Sequence, residues 1–258
     1  MRYDRFMPRI TRRGFVAALP LACDIACSNV RPGDNRLTAR PNSGPSSDPG
    51  SAVRTGGRPL KLRQGRDGLL YVPASSSKYE KAPLVVSLHG VSQNADLAMF
   101  LWRSLADEQG FLVLAPASKK RTWDALEGSF EPDVDFNDRC LMKTFGVRAI
   151  DPARMAISGF SDGASYALSL GLANGDLFTA VLGFSPGVVV PGQRTGKPPV
   201  FISHGTRDQI LPINECSRRI VPELQSEGYQ VTYREFDGPH TAPPEIISEA
   251  TQWFLNPA

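Results

Sequence analysis

From Leu84 onward the chain alternates short apolar runs with stretches in which apolar residues recur every three or four positions. Leu84-Val85-Val86-Ser87-Leu88-His89 and Phe111-Leu112-Val113-Leu114-Ala115-Pro116 are almost continuously apolar, as strands covered on both faces of a parallel sheet are. Between them Leu97, Phe100, Leu101 and Leu105 keep helical spacing. That spacing predicts one helix over about 95–109, ended by Gly110. Met155–Ile157 predicts the next buried strand after a helix over about 136–145, and a small-residue helix follows from Ala164 to about Ala173. Residues 180–185, 199–205 and 230–236 predict three more strands, and 244–255 a closing helix. Upstream, Leu60–Leu62 and Leu69–Val72 flank the turn-forming Gln64-Gly65-Arg66-Asp67-Gly68 and read as a hairpin.

This alternation predicts an α/β domain with a mostly parallel, doubly wound sheet and helices on both faces. The stretch 117–135, which carries Lys119-Lys120-Arg121 and Trp123, is read as irregular. Residues 186–199 are few and rich in Gly and Pro, so no large lid domain is expected there.

The first part of the chain has another character. Thr11-Arg12-Arg13-Gly14-Phe15-Val16 follows a basic opening and leads into an apolar run to Ala22, the layout of a twin-arginine export signal. Pro20-Leu21-Ala22-Cys23 resembles a lipoprotein box, with lipidated Cys23 as the attachment point to a membrane; Cys27 is a poorer second candidate. Residues 28–58 are dominated by Pro, Gly, Ser, Asn and Arg, which cannot bury enough apolar surface to offset ordering entropy. The expected organisation is therefore an export segment over 1–27, a disordered linker over 28–58 and a single domain over 59–258 in an exported location.

Composition narrows the partners. The 258 residues are 41% hydrophobic and 21% charged, and 29 basic against 26 acidic side chains leave a net charge of +3. That balance does not favour a nucleic-acid surface, and no run reaches the ~18 apolar residues of a spanning helix. Of the four cysteines, Cys140 and Cys216 fall in the domain; export would permit them to pair, and two unpaired buried thiols are the equal alternative. Cys23 and Cys27 have no matching second pair, so neither a zinc site nor another cofactor is expected. Oligomeric state is not encoded in any motif.

The chemistry gathers around Ser158-Gly159-Phe160-Ser161-Asp162-Gly163-Ala164, a Gly-x-Ser-x-Gly turn between a strand and a helix. Such an elbow lifts one hydroxyl above the sheet. A serine hydroxyl needs a base to remove its proton, and the base needs an acid partner to fix its tautomer. Asp208 follows the strand ending at His204, and His240 follows the strand ending at Phe236, so both occupy C-terminal strand ends, the edge at which Ser161 emerges. Of the other histidines, His89 and His204 are read as braces within their strand ends. The backbone N–H groups of Val91 and Asp162 are the expected donors to a developing oxyanion. Trp123 and Trp102 are the candidate aromatic contacts for substrate, with a core role as the alternative for Trp102.

Leu88-His89-Gly90, Gly159 to Ala164, His204-Gly205-Thr206-Arg207-Asp208 and Gly238-Pro239-His240 together resemble the serine α/β-hydrolases over residues 60–256. The last third is similar to the phospholipase/carboxylesterase group. Gln93, Asp133-Val134-Asp135-Phe136 and Asp151-Pro152-Ala153-Arg154 are similar to the polyhydroxybutyrate depolymerase and feruloyl esterase group. Asp162 stands where the first group often has Gln, and Val91 where the second often has Cys. The resemblance implies the α/β-hydrolase fold and hydrolysis of carboxylic esters with short acyl, aryl or polyester-type groups through an acyl-enzyme on Ser161. Peptidase or amidase action on the same residues, and a non-catalytic envelope lipoprotein that binds a ligand, are the competing expectations.

Overall fold

A computed structural model describes residues 35–41 and 54–256. The expectations for the export segment, including Cys23 and Cys27, lie outside the described residues. Eight strands run β1 (Gly56–Pro59), β2 (Leu69–Val72), β3 (Ala82–Leu88), β4 (Leu112–Ala115), β5 (Ile150–Phe160), β6 (Ala180–Phe184), β7 (Val200–Gly205) and β8 (Val231–Phe236). They form one sheet in the order β1-β2-β4-β3-β5-β6-β7-β8. β2 is antiparallel to both β1 and β4, and every pairing from β4 to β8 is parallel.

The helices are α1 (Ala95–Phe100), α2 (Arg103–Gln109), α3 (Asp133–Phe145), α4 (Asp162–Ala173), α5 (Ser217–Ser226) and α6 (Pro244–Leu255). Side-chain alternation along β3 and β5 divides the core in two. Leu84, Val86, Leu88, Met155 and Ile157 pack with α3, α4 and α5 on one face. Val85 and Ala156 pack with α1, α2 and α6 on the other. Two opposed apolar layers on a parallel sheet explain why the central strands show no polar alternation. Neither helix nor strand interrupts the chain between Phe184 and Val200, so no lid domain stands there.

Three local readings need correcting. The hairpin's first strand is Gly56–Pro59, not 60–62; Lys61 has φ 57 and the Asp67 carboxylate accepts from the Lys61 and Leu62 N–H groups, which turns the chain. The helix over 95–109 is two helices, broken so that Trp102 enters the core, where it is 0% exposed beside Phe111 and Phe184. Helix α5 was not expected: Pro222 lies inside it, and its buried Ile220, Val221 and Leu224 are spaced among polar residues. Of the two arrangements open for Cys140 and Cys216, the structure has the unpaired one: both are buried and not joined to each other.

Residues 35–41 also depart from the linker expected over 28–58. Leu37 and Ala39 are buried, Leu37 N–H donates to Asn174 Oδ1 (2.8 Å), and Thr38 and Ala39 N–H donate to Asp138 Oδ1 (2.8 and 2.7 Å). Arg36 and Arg40 both reach the Asp176 carboxylate. Alternate positions, not a continuous apolar run, supply the anchors. Composition averaged over thirty residues hides so short a strap.

Candidate active site

β5 delivers Ser161 into a turn that only these residues permit. A Cβ on Gly159 would lie 2.1 Å from the Gly163 carbonyl oxygen, and one on Gly163 would lie 2.1 Å from the Leu88 carbonyl oxygen. Glycine at both positions is therefore a steric requirement. Ser161 itself has φ 58 and ψ −124 and donates its N–H to Phe184 O (2.9 Å). This conformation is costly for a residue with a Cβ and persists because the surrounding strands hold it. The elbow leads directly into α4.

β7 and β8 end beside it. His240 Nε2 lies 2.8 Å from Ser161 Oγ, and His240 Nδ1 lies 2.5 Å from Asp208 Oδ2. A carboxylate cannot donate, so Nδ1 carries the proton and Nε2 is left to accept from the hydroxyl. That is the tautomer a general base needs. Asp208 has a side chain that is 0% exposed, and its Oδ1 accepts from the N–H groups of Ile210 and Leu211 (2.9 Å each). The Phe160 ring packs 4.9 Å from the His240 ring.

On the other side of Ser161 stands the loop 89–93. The position a Cβ would take on Gly90 is 3.3 Å from Ser161 Cβ, so this loop borders the hydroxyl directly. Gln93 Oε1 accepts from Gly90 N–H (3.0 Å). Among the described residues no acceptor takes the N–H of Val91 or that of Asp162. The Asp162 carboxylate accepts from Thr122 Oγ1.

The loop 89–93 is held from behind. His89 Nδ1 donates to Gly90 O (2.8 Å), while Nε2 accepts from Ser118 N–H (3.0 Å) and the Arg66 guanidinium (3.1 Å). Burial lowers the His89 pKa to about 4, opposed by the Gly90 bond and aided by Arg66, so the ring is neutral. Arg66 also donates to Gln93 O (2.8 Å) and Ser118 O (2.7 Å). Trp123 Nε1 donates to His89 O (2.9 Å), and its ring stacks on Tyr166 of α4 at 4.7 Å. Asp124 and Asp133 each accept the other's backbone N–H and fix the end of the loop that carries Trp123.

Both tryptophans proposed from sequence as substrate contacts thus take other places. Trp123 and Trp102 are each 0% exposed. Trp102 is in the core, and Trp123 is a brace. Arg66, Asp124 and the partnership of His204 with Asp208 were missed. Arg66 sits in a polar turn where any residue would be unremarkable, and nothing in its spacing signals a reach across to residues 89–93 and 118. Among the described residues no group of His, Cys, Asp or Glu is arranged to hold a metal.

Fold and site together have the arrangement of the serine α/β-hydrolases, and the comparisons point to the same superfamily. Within it, residues 138–255 match the phospholipase/carboxylesterase family. Over 183 residues the chain is 30% identical to a bifunctional acetylxylan esterase/xylanase of Neocallimastix patriciarum, covering 68% of this chain and 25% of that protein. It is likewise 30% identical over 136 residues to a poly(3-hydroxybutyrate) depolymerase of Ralstonia pickettii, covering 44% and 28%. Esterase PE8 superposes with a TM-score of 0.59 at 25% identity over 71% of this chain and 95% of that one. The Bacillus cereus carboxylesterase gives a TM-score of 0.57 at 19% identity over 76% and 96%. The chain spans about a quarter of the length of these two curated relatives.

Proposed function

We propose that the chain hydrolyses carboxylic esters through an acyl-enzyme on Ser161, with His240 as general base and acid and Asp208 as its partner. The hydrogen-bond chain Ser161 Oγ–His240–Asp208, at 2.8 and 2.5 Å, carries this reading. Ser161 Oγ attacks the carbonyl carbon as its proton passes to His240 Nε2, and the oxyanion is held by the N–H groups of Val91 and Asp162. Collapse breaks the bond to the alcohol oxygen, which takes the proton from Nε2. Water then gives a proton to Nε2 while its oxygen attacks the acyl carbon; the acid leaves and Oγ regains its proton.

Short acyl, aryl or polyester-type esters fit best. The Val91 and Ile210 side chains, on the residue assigned as oxyanion donor and two residues beyond Asp208, are apolar and exposed at 44% and 69%, which supports an apolar acyl or alkyl group as part of the substrate. Relatives named as acetylxylan esterase and poly(3-hydroxybutyrate) depolymerase support esters as the substrate class. The decisive test is covalent labelling by a fluorophosphonate together with turnover of nitrophenyl acetate and butyrate. Both should be lost in Ser161→Ala, and hydroxybutyrate oligomers beside acetylated sugars should then separate the substrate classes. Labelling that survives in Ser161→Ala would sink the assignment.

The same reading includes an exported protein, with Thr11–Val16 as the export motif and Cys23 as the lipidated residue. The mass of the mature N-terminus tests it: a diacylglyceryl adduct on Cys23 is the expected result.

A further inference from the structure

The Asp208 carboxylate serves two histidines. Its Oδ2 contacts His240 Nδ1 at 2.5 Å and also His204 Nε2 at 3.1 Å, and both the His204 and Asp208 side chains are 0% exposed. His204 Nε2 also contacts the Leu211 carbonyl oxygen at 2.8 Å. A carbonyl can only accept, so Nε2 must carry a proton; its hydrogen bond goes to Leu211 O, and Asp208 Oδ2 lies in electrostatic contact with the same N–H. Nδ1 is then the acceptor, and Ser217 Oγ at 2.7 Å supplies its proton. Burial lowers the pKa of His204, so the ring is neutral and this tautomer is the resting one. The titratable and charged groups facing it are Asp208 and His240 at the strand ends and, on β8, Glu235, which pairs in register with His204 and is held by Arg218.

We infer that His204 is a positioning residue for the reaction: its Nε2–H fixes the rotamer of Asp208 and limits how strongly Oδ2 accepts from His240. The inference deepens the proposed function and concerns only how Asp208 is set. With two backbone donors on Oδ1, the His240 N–H on Oδ2 and the His204 N–H in electrostatic contact with the same oxygen, the carboxylate has one orientation that keeps all four. Take away the His204 donor and Oδ2 keeps a single partner in a buried place, where a carboxylate cannot exchange protein donors for solvent ones. The carboxylate becomes a stronger acceptor for His240 and a less constrained one. The first change favours the protonated imidazole, and the second misaligns it.

Three variants test this. In His204→Leu, kcat for a neutral nitrophenyl ester should fall about tenfold with KM little changed, and the acid limb of the kcat/KM profile should move to higher pH. His204→Gln, whose side-chain N–H can still donate, should recover most of the loss and return the limb. Ser217→Ala, which removes only the partner of Nδ1, should leave the profile in place. In parallel, the low-field resonance of the His240 Nδ1 proton should shift in His204→Leu and not in Ser217→Ala. That reading needs no turnover, so it remains informative even if ester hydrolysis itself is not found. A folded His204→Leu with wild-type pH profile and resonance overturns the inference, as does equal loss in the Leu and Gln variants without movement of either. Should His204→Leu fail to fold, the Gln variant decides: a displaced resonance there overturns it.

Discussion

Ser161, Asp208 and His240 arrive on the ends of parallel strands β5, β7 and β8, each within a few residues of where its strand stops. The loop 89–93 on the other side of Ser161 is held by Arg66, Ser118, Arg121 and Trp123, drawn from two separate stretches that precede and follow it. One half of the site is therefore positioned by the sheet and the other by side chains crossing between loops. A sheet end fixes a residue through backbone register, so a few neighbouring residues suffice to specify it. Crossing side chains specify a position only jointly.

The largest effect expected is on the sheet-borne half. Ser161→Ala or His240→Ala should lower kcat on a nitrophenyl ester by roughly 10⁴–10⁶-fold, and Asp208→Asn by roughly 10⁴-fold, because an amide can donate to His240 Nδ1 and stabilise the wrong tautomer. Double variants should lose no more than the worst single one, since the three act as a unit; steady-state and single-turnover rates check this. Additive losses would break the idea of a single coupled chain of hydrogen bonds.

Next is the loop-borne half. Val91→Pro removes one N–H without touching Ser161, and should cost roughly 10²–10³-fold in kcat. Val91→Ala keeps the N–H and should remain within a few fold, changing mainly KM for apolar acyl groups, because the exposed side chain is lost while the donor stays. Equal losses in the two variants would show that the side chain, not the N–H, is what matters there.

This contrast also explains what was legible in the sequence. Gly159-Phe160-Ser161-Asp162-Gly163 could be read because steric demand confines both glycines to one short turn. Asp208 and His240 could be read because each follows an apolar run that a buried strand requires. Arg66 could not, since its partners lie at 89, 93 and 118 and no local pattern joins them. Trp123 was placed on the correct edge but given the wrong task, because periodicity does not report which way a side chain in an irregular stretch turns. The strap at 35–41 was invisible for a related reason: its anchors are Asn174, Asp138 and Asp176, far along the chain.

A third effect falls on stability rather than rate. Burial, then the neighbouring Asp133 charge, push the Asp124 pKa up to about 7, against the pull of the backbone N–H groups it accepts. The folded protein therefore binds a proton that the unfolded chain, with an ordinary carboxylate pKa near ~4, has released. Stability from this group is fully present below pH ~4 and is lost as pH rises through about 7. The span from ~4 to about 7 corresponds to on the order of 4 kcal/mol. Asp124→Asn should flatten the decline in thermal midpoint between pH 4 and 7, measured by calorimetry. An unchanged slope would place the origin of the decline elsewhere.

The smallest effect is the most informative about the loop. Trp123→Phe keeps an aromatic ring to stack on Tyr166 and deletes only the N–H donated to His89 O. Losing one buried hydrogen bond costs about 1 kcal/mol. If that bond serves only stability, the cost appears in the thermal midpoint and kcat is unchanged. His89 O, however, lies two residues before Val91, so the same freedom that lowers stability lets the Val91 N–H drift from the forming oxyanion. A several-fold fall in kcat with KM held is the expected result. Adding Trp123→Phe to Val91→Pro should then cost nothing further in kcat, because the donor whose position Trp123 guards is already gone; a second full loss would mean that Trp123 acts on Ser161 by another route.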